Sequence, residues 1–328
     1  METKIEVNGV SGNISDSIDN DTLAKATSLQ GPELLKQLKV GISISDSSDL
    51  MKLGYSSIHL QDASIEISRY LLAHGARLVY GGDLRKDGFT YLFSELANLY
   101  STKEMHTEFR FKNYFAWPIH LKLSKEDELD FKQSKVEIEK LPLPDSVKEI
   151  DPSKFLPYET NENKVVWAKS FTYMRETMND YCNARIFLGG QTNNFKGKFP
   201  GIIEEAMYAL KDNKPAYFIG AYGGATKEII QLLQNGSSER VNDEYQMSDK
   251  VYKELYYYWN KTQSENINYA EVADFFRQYG LQNLCKANGL TNQENLRLFE
   301  TNNLPEIIFY ILKGLITINK YSFQNSTE

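Results

Sequence analysis

Ala184-Arg-Ile-Phe-Leu-Gly-Gly190 followed by Gln191-Thr-Asn-Asn-Phe-Lys-Gly-Lys-Phe-Pro-Gly-Ile-Ile-Glu-Glu-Ala206 decides the fold class of this chain. A short apolar run ends in two glycines, crosses a basic loop and enters a stretch with apolar residues at Ile202, Ile203, Ala206, Met207 and Leu210. The first part reads as a buried strand and the last as an amphipathic helix over Pro200 to Leu210, with Pro200 suited to its first turn. The unit recurs on both sides. Leu38 to Ser45 reads as a strand, Asp62 to His74 as a helix stopped by Gly75, Ala76 to Tyr80 as a strand, and Phe89 to Tyr100 as a helix. Val165 to Asp180 is a helix, Ala216 to Gly220 a strand and Thr226 to Gln234 a helix. Such alternation predicts a Rossmann-like α/β fold with a mostly parallel central sheet flanked by helices.

Two stretches read differently. Tyr114 to His120 is read as a strand that Pro118 confines to an edge or a bulge. Residues 123 to 164, charged and broken by prolines, are read as one long irregular excursion. At the termini, residues 1–34 form a polar tail and 241–328 a helical extension with helices at Val251 to Trp259, Tyr269 to Tyr279 and Leu304 to Ile316. The Rossmann-like domain is expected over 35–240.

Composition excludes several classes. The chain has 328 residues, with 37 Lys+Arg against 44 Asp+Glu and a net charge of −7. That balance disfavours a nucleic-acid-coating protein, which needs clustered cations, but leaves room for a small anionic ligand in a local positive field. No apolar run approaches the ~20 residues of a membrane span. Cys182 and Cys285 cannot build a disulfide framework, so a cytoplasmic location is expected. His59, His74, His106 and His120 share no ligand spacing, and no metal site or cofactor is expected.

In parallel sheets the ligand crevice lies beyond the carboxyl ends of the strands. Four such ends are small and polar: Ser43 and Ser45; Gly81, Gly82, Asp83 and Arg85; Gly189 and Gly190; and Gly220, Gly223, Gly224 and Thr226. Glycines admit close backbone approach and helix N-termini attract anions, so phosphate is the expected ligand group. Glycine is also the ordinary residue of tight strand-to-helix turns. Lys196 and Lys198 sit beside the helix entry at Pro200, as phosphate partners or as a solvated loop. Glu204 and Glu205 lie just inside that helix, as acceptors of ribose hydroxyls, as acid/base groups or as compensation of the helix dipole. No Walker loop is present, because six residues separate Gly190 from Gly197-Lys198 and Phe199 follows; the dinucleotide pattern G-x-G-x-x-G is absent too.

The set Gly41-Ile-Ser-Ile-Ser, Tyr80-Gly-Gly-Asp-Leu-Arg-Lys-Asp-Gly-Phe-Thr90, Ala184-Arg-Ile-Phe-Leu-Gly-Gly, Pro200-Gly-Ile-Ile-Glu-Glu-Ala and Gly220-Ala-Tyr-Gly-Gly-Ala-Thr resembles the SLOG superfamily from Leu38 to Leu233. That superfamily groups the DNA-processing protein DprA, the cytokinin-activating LOG enzymes and the nucleotide-sensing region of TRPM channels. The chain looks most like bacterial sensor versions, such as the C-terminal domain of the Thoeris antiphage effector. The resemblance implies binding of an ADP-ribose or cyclic-nucleotide signal in antiviral defence, with Arg175 and Lys198 on its phosphates, and a homo-oligomer or a defence partner. The LOG motif PGGxGTxxE has only a partial counterpart in Ala221-Tyr-Gly-Gly-Ala-Thr-Lys-Glu228. Two further readings stand beside the sensor. One is a nucleotide N-glycosidase using Glu205, Glu204 or Asp83; the other is a protein-interaction module working through its C-terminal helices.

Overall fold

A computed structural model describes residues 34–36, 38–82, 84–100 and 109–324, the last five of these by backbone alone. Residues 1–33, read above as a tail, and Asp83 lie outside the described residues.

Six strands form one sheet: β1 (Lys39–Ser45), β2 (Arg77–Gly81), β3 (Phe111–Phe115), β4 (Val136–Lys140), β5 (Ala184–Gly189) and β6 (Ala216–Ile219). Every pairing is parallel, in the order β4-β3-β2-β1-β5-β6. Helices α1 (Ser57–Ala73), α2 (Phe89–Leu99), α3 (Lys125–Gln133), α4 (Asn161–Tyr181) and α5 (Gly201–Lys211) connect successive strands, and α6 (Gly224–Asn235) follows β6. The expected α/β Rossmann-like architecture is therefore present.

Strand periodicity of two sorts the side chains to the two faces of the sheet. Val40, Ile42 and Ile44 of β1 join Ile186 and Leu188 of β5 in a core covered by α1 and α2. The intervening residues face α4 to α6, where Phe187 and Phe218 stack with ring centroids 4.8 Å apart. Ser43 and Arg185 lie on this second face, and Gly41 pairs in register with Arg185. A Cβ on Gly41 would stand 3.4 Å from the Arg185 side chain and 3.0 Å from Cys182 Sγ, so glycine leaves the guanidinium room to lie across the strand.

The C-terminal helices are α7 (Asp243–Gln246), α8 (Lys250–Thr262), α9 (Tyr269–Asn288), α10 (Asn292–Glu300) and α11 (Leu304–Gln324). They contribute to both cores: Leu298, Ile307 and Ile311 to the first, Tyr252, Trp259, Val272 and Phe276 to the second. None of the described helices is long and apolar enough to cross a membrane.

Two expectations are corrected. β3 begins at Phe111 and lies between β2 and β4, so it is an interior strand. Pro118 falls beyond its last residue and therefore removes no ladder hydrogen bond. The supposed irregular excursion contains α3 and β4. α3 is polar almost all round and buries only Phe131, which hid its periodicity. A capping box starts it: Ser124 Oγ accepts from Asp127 N–H at 3.0 Å and Asp127 Oδ2 accepts from Ser124 N–H at 3.1 Å. β4 is the true edge, and Lys112 of β3 pins it through Glu137 at 2.8 Å and Glu139 at 3.0 Å.

Candidate functional site

The strand order reverses direction at β1, which is flanked by β2 on one side and β5 on the other. A crevice at such a switch point is where open α/β sheets hold ligands. Here it is a cavity of about 470 Å³, within the range of small-molecule sites. β1 supplies Ser43, Ile44 and Ser45, and the end of β2 supplies Tyr80, Gly81, Gly82 and, beyond it, Arg85. One face of α4 presents Trp167, Phe171, Met174 and Arg175, spaced one helical turn apart. The loop before α5 contributes Gln191, Asn194, Phe195 and Lys196, and α5 itself adds Gly201, Ile202 and Glu205.

Beneath this cavity lies a compact charge network. Arg185, with no exposed surface, donates to Ser43 Oγ from Nη2 at 2.8 Å and to Glu205 Oε2. Ser43 Oγ in turn donates to Glu205 Oε2 at 2.6 Å. Arg175 pairs with Glu204, whose other oxygen accepts from Thr172, and its Nε lies 3.8 Å from Glu205 Oε1. Two guanidiniums and two carboxylates thus balance in a nearly water-free layer, which is the condition for burying charge at all. Glycine makes the packing possible. A Cβ on Gly201 would stand 2.7 Å from Arg175 Nη2, and one on Gly197 2.9 Å from Nη1. Lys196 lies over Trp167 with its ammonium 4.9 Å from the ring centroid, a cation–π contact on the cavity wall.

The chain matches the family model described as SLOG cluster2 over residues 34–298. This chain belongs to the SLOG family. No curated protein matches it.

The SLOG chain brings together Ser43, Ser45, Gly81, Gly82, Arg85, Arg175, Lys196 and Glu205 around one cavity. The other expected residues go elsewhere. Gly189 and Gly190 form the turn just behind it, with φ of +66° and +104°; Gly190 N–H donates to Ser45 carbonyl at 2.8 Å and its Cα faces Ile202 and Ala225. Glu204 is buried behind Arg175 and does not line the cavity. Lys198 opens onto a separate cavity on the far face of α4, shared with Lys169 and Trp259, and pairs with Glu265 at 3.5 Å.

At the β6 rim the helix entrance is occupied from within the chain, although the buried Thr226 hydroxyl has no hydrogen-bond partner among the described residues. Gly220 packs under the Phe299 carbonyl, 2.2 Å from where a Cβ would stand. Gly223 and Gly224 both have φ of +64°, and the Gly224 N–H, which opens α6, donates to Asp49 Oδ2 at 2.9 Å. Arg240 forks onto Asp49 at 2.7 and 2.8 Å and lies 3.5 Å from Glu228. Thr226 is fully buried. The anion expected at this glycine turn is the chain's own carboxylate.

Burial works to raise the Asp49 carboxyl, but the Arg240 fork and the Gly224 N–H outweigh it and hold the group below the usual carboxylate range. A carboxyl whose folded value is lowered adds stability above its unfolded value, near 4, and that contribution disappears as pH falls through the folded value. Asp49→Asn is therefore expected to lower the urea midpoint at pH 7 and to leave a smaller loss between about pH 5 and pH 3 than in the wild type. Urea titrations at those pH values check this; identical acid profiles would refute it.

Sequence reasoning missed Arg185, Trp167, Phe171 and the Asp49–Arg240 pair. A lone charge inside the apolar run Ala184–Gly189 was the available signal for Arg185. The positions 167, 171, 174 and 175 share one face of α4, which was readable from helical spacing. Nothing local pointed from Asp49 to Arg240, 191 residues away. Among the described residues no group of three His, Cys, Asp or Glu side chains could hold a metal ion. Cys182 is buried against Met174 and Met178, and burial pushes its thiol up.

Proposed function

We propose that this SLOG protein binds a nucleotide-derived signal, of ADP-ribose or cyclic-nucleotide type, in the cavity at the β1 switch point. The observation that carries this reading is the convergence of Arg85, Arg175 and Lys196 with the aromatic wall of Trp167 and Phe171 at the strand ends. Phosphate suits the cations and a base suits the rings. Family membership supports nucleotide chemistry in general terms. On the sequence resemblance drawn above to the Thoeris effector domain and the TRPM region, the protein would be a sensor working through self-assembly or a partner protein in prokaryotic antiviral defence.

Calorimetric titration with ADP-ribose, its cyclic isomers, cyclic dinucleotides, AMP and NAD tests the reading. Lys196→Ala is expected to weaken the bound member of that panel by about tenfold or more, the worth of one charge-assisted contact. Lys198→Ala, on the other cavity, is expected to leave affinity unchanged. Silence across the panel, or equal loss in both variants, would overturn it.

Glu205 on the cavity wall favours a second reading, N-glycosidic cleavage of a bound nucleotide, in which a carboxylate assists an oxocarbenium-like state. Free base released from NAD or AMP, and lost in Glu205→Gln, would establish it.

A further inference from the structure

The orientation of Glu205 is set by a residue that has no surface of its own. Arg185 lies on β5 with no exposed area, and its side chain crosses the strand above Gly41 to reach Ser43 and Glu205. Glu205 Oε2 accepts from both Arg185 Nη2 and Ser43 Oγ. Its Oε1 is 3.8 Å from Arg175 Nε, a buried donor without a partner among the described residues, and so lies beyond hydrogen-bond range of it. Glu205 is 12% exposed and lines the cavity wall, whereas Glu204 beside it does not. One oxygen is anchored and one is offered.

We infer that Arg185 is a positioning residue that turns Glu205 into a fixed hydrogen-bond acceptor for a sugar hydroxyl pair and withholds it from bond cleavage. The inference rests on the nucleotide reading of the cavity and adds the recognised group. A carboxylate whose Oε2 accepts from one guanidinium and one hydroxyl is held in a fixed direction, which suits it to accept from a ligand. Its charge is already balanced by the flanking guanidiniums, so it has little left to stabilise an oxocarbenium. An oxygen without a close partner suits a donor without charge; the ribose diol offers two such donors side by side, whereas the adenine amino group offers its donors from one atom, and the deoxy forms below tell the two apart. The groups facing Glu205 are Arg185 from β5, Arg175 from α4, Ser43 from β1 and Glu204 on its own helix, with Cys182 behind Arg185. Asp46, Arg85 and Lys196 share the cavity.

The test is calorimetry with ADP-ribose and AMP, each beside its 2′-deoxy and 3′-deoxy forms. The wild type is expected to disfavour at least one deoxy form by about tenfold to a hundredfold and to release no base from NAD or AMP. Arg185→Met removes the anchor of Glu205 Oε2, so the discrimination should shrink. Arg185→Lys keeps a charged donor there and should retain it. The double variant Arg185→Met with Glu205→Gln restores neutrality in the layer; it should bind the parent nucleotide without the deoxy penalty, which separates positioning from mere folding. Equal binding of parent and deoxy forms by the wild type, unchanged discrimination in Arg185→Met, or Glu205-dependent base release by the wild type overturns this inference while leaving the cavity assignment standing. Binding of neither nucleotide overturns both.

Discussion

Glu204→Ala is expected to reduce the unfolding free energy by about 3–5 kcal/mol, a large part of the total for a domain of this kind. The reason is what it leaves behind. Arg175 is buried at 8% exposure, and Glu204 is its close partner; without it, the guanidinium faces only the distant Glu205 oxygen. Thr172 loses its acceptor at the same time. A buried cation without a partner costs far more than the pair was worth. Glu204→Gln keeps an acceptor for Thr172 and the shape of the site, and should recover part of the loss. Urea unfolding at pH 7 measures both. A Glu204→Ala midpoint within error of the wild type would show that Arg175 is solvated, and would remove the charge-balanced layer from the description of the site.

Gly224→Ala is the second large effect. The residue has φ of +64°, and a Cβ there would stand 2.2 Å from the Gly190 carbonyl oxygen, 2.8 Å from Ser47 Oγ and 2.9 Å from Gly189 carbon. Two of those three atoms are backbone and cannot rotate away. The conformational penalty is about 1–2 kcal/mol, and overpacking adds about 1–3 kcal/mol. A loss of about 3 kcal/mol or more is expected, together with loss of the Gly224 N–H to Asp49 contact that starts α6. Gly280→Ala is the comparison: at φ +61° and ψ 172°, where α9 kinks, it carries a conformational penalty at least as large, but no atom lies within 4 Å of its Cβ position. It should show the conformational part alone. Equal midpoints for the two variants would refute the steric argument.

The alternation of apolar strands with amphipathic helices carried the fold, because burial on both faces of a parallel sheet leaves largely apolar runs such as Ala184–Gly189, interrupted only by Arg185, and Ala216–Ile219. It failed where burial is slight. α3 hides one phenylalanine and β4 is an edge strand whose glutamates face Lys112, so neither shows a clean period. The site was half legible for a similar reason. Strand-end residues can be read from local sequence, and Ser43, Gly81, Gly82 and Lys196 do meet at the cavity. Which of two adjacent glutamates faces it depends on the pitch of α5 against β1 and β5, and sequence spacing does not contain that angle. The glycines after β6 looked like a phosphate cradle because the same backbone geometry serves an internal carboxylate. Only the fold shows that Asp49 reaches them.

That occupied turn limits the shape a ligand can take. With Asp49 seated on the Gly224 N–H and Arg240 forked onto Asp49, both the helix-entrance donor and the nearby cation are already engaged at the β6 end of the rim. A phosphate chain of the proposed ligand would find its cations instead at Lys196, Arg175 and Arg85, around the ends of β1 and β2. Compact or cyclised molecules would satisfy that clustering with less loss of freedom than extended ones.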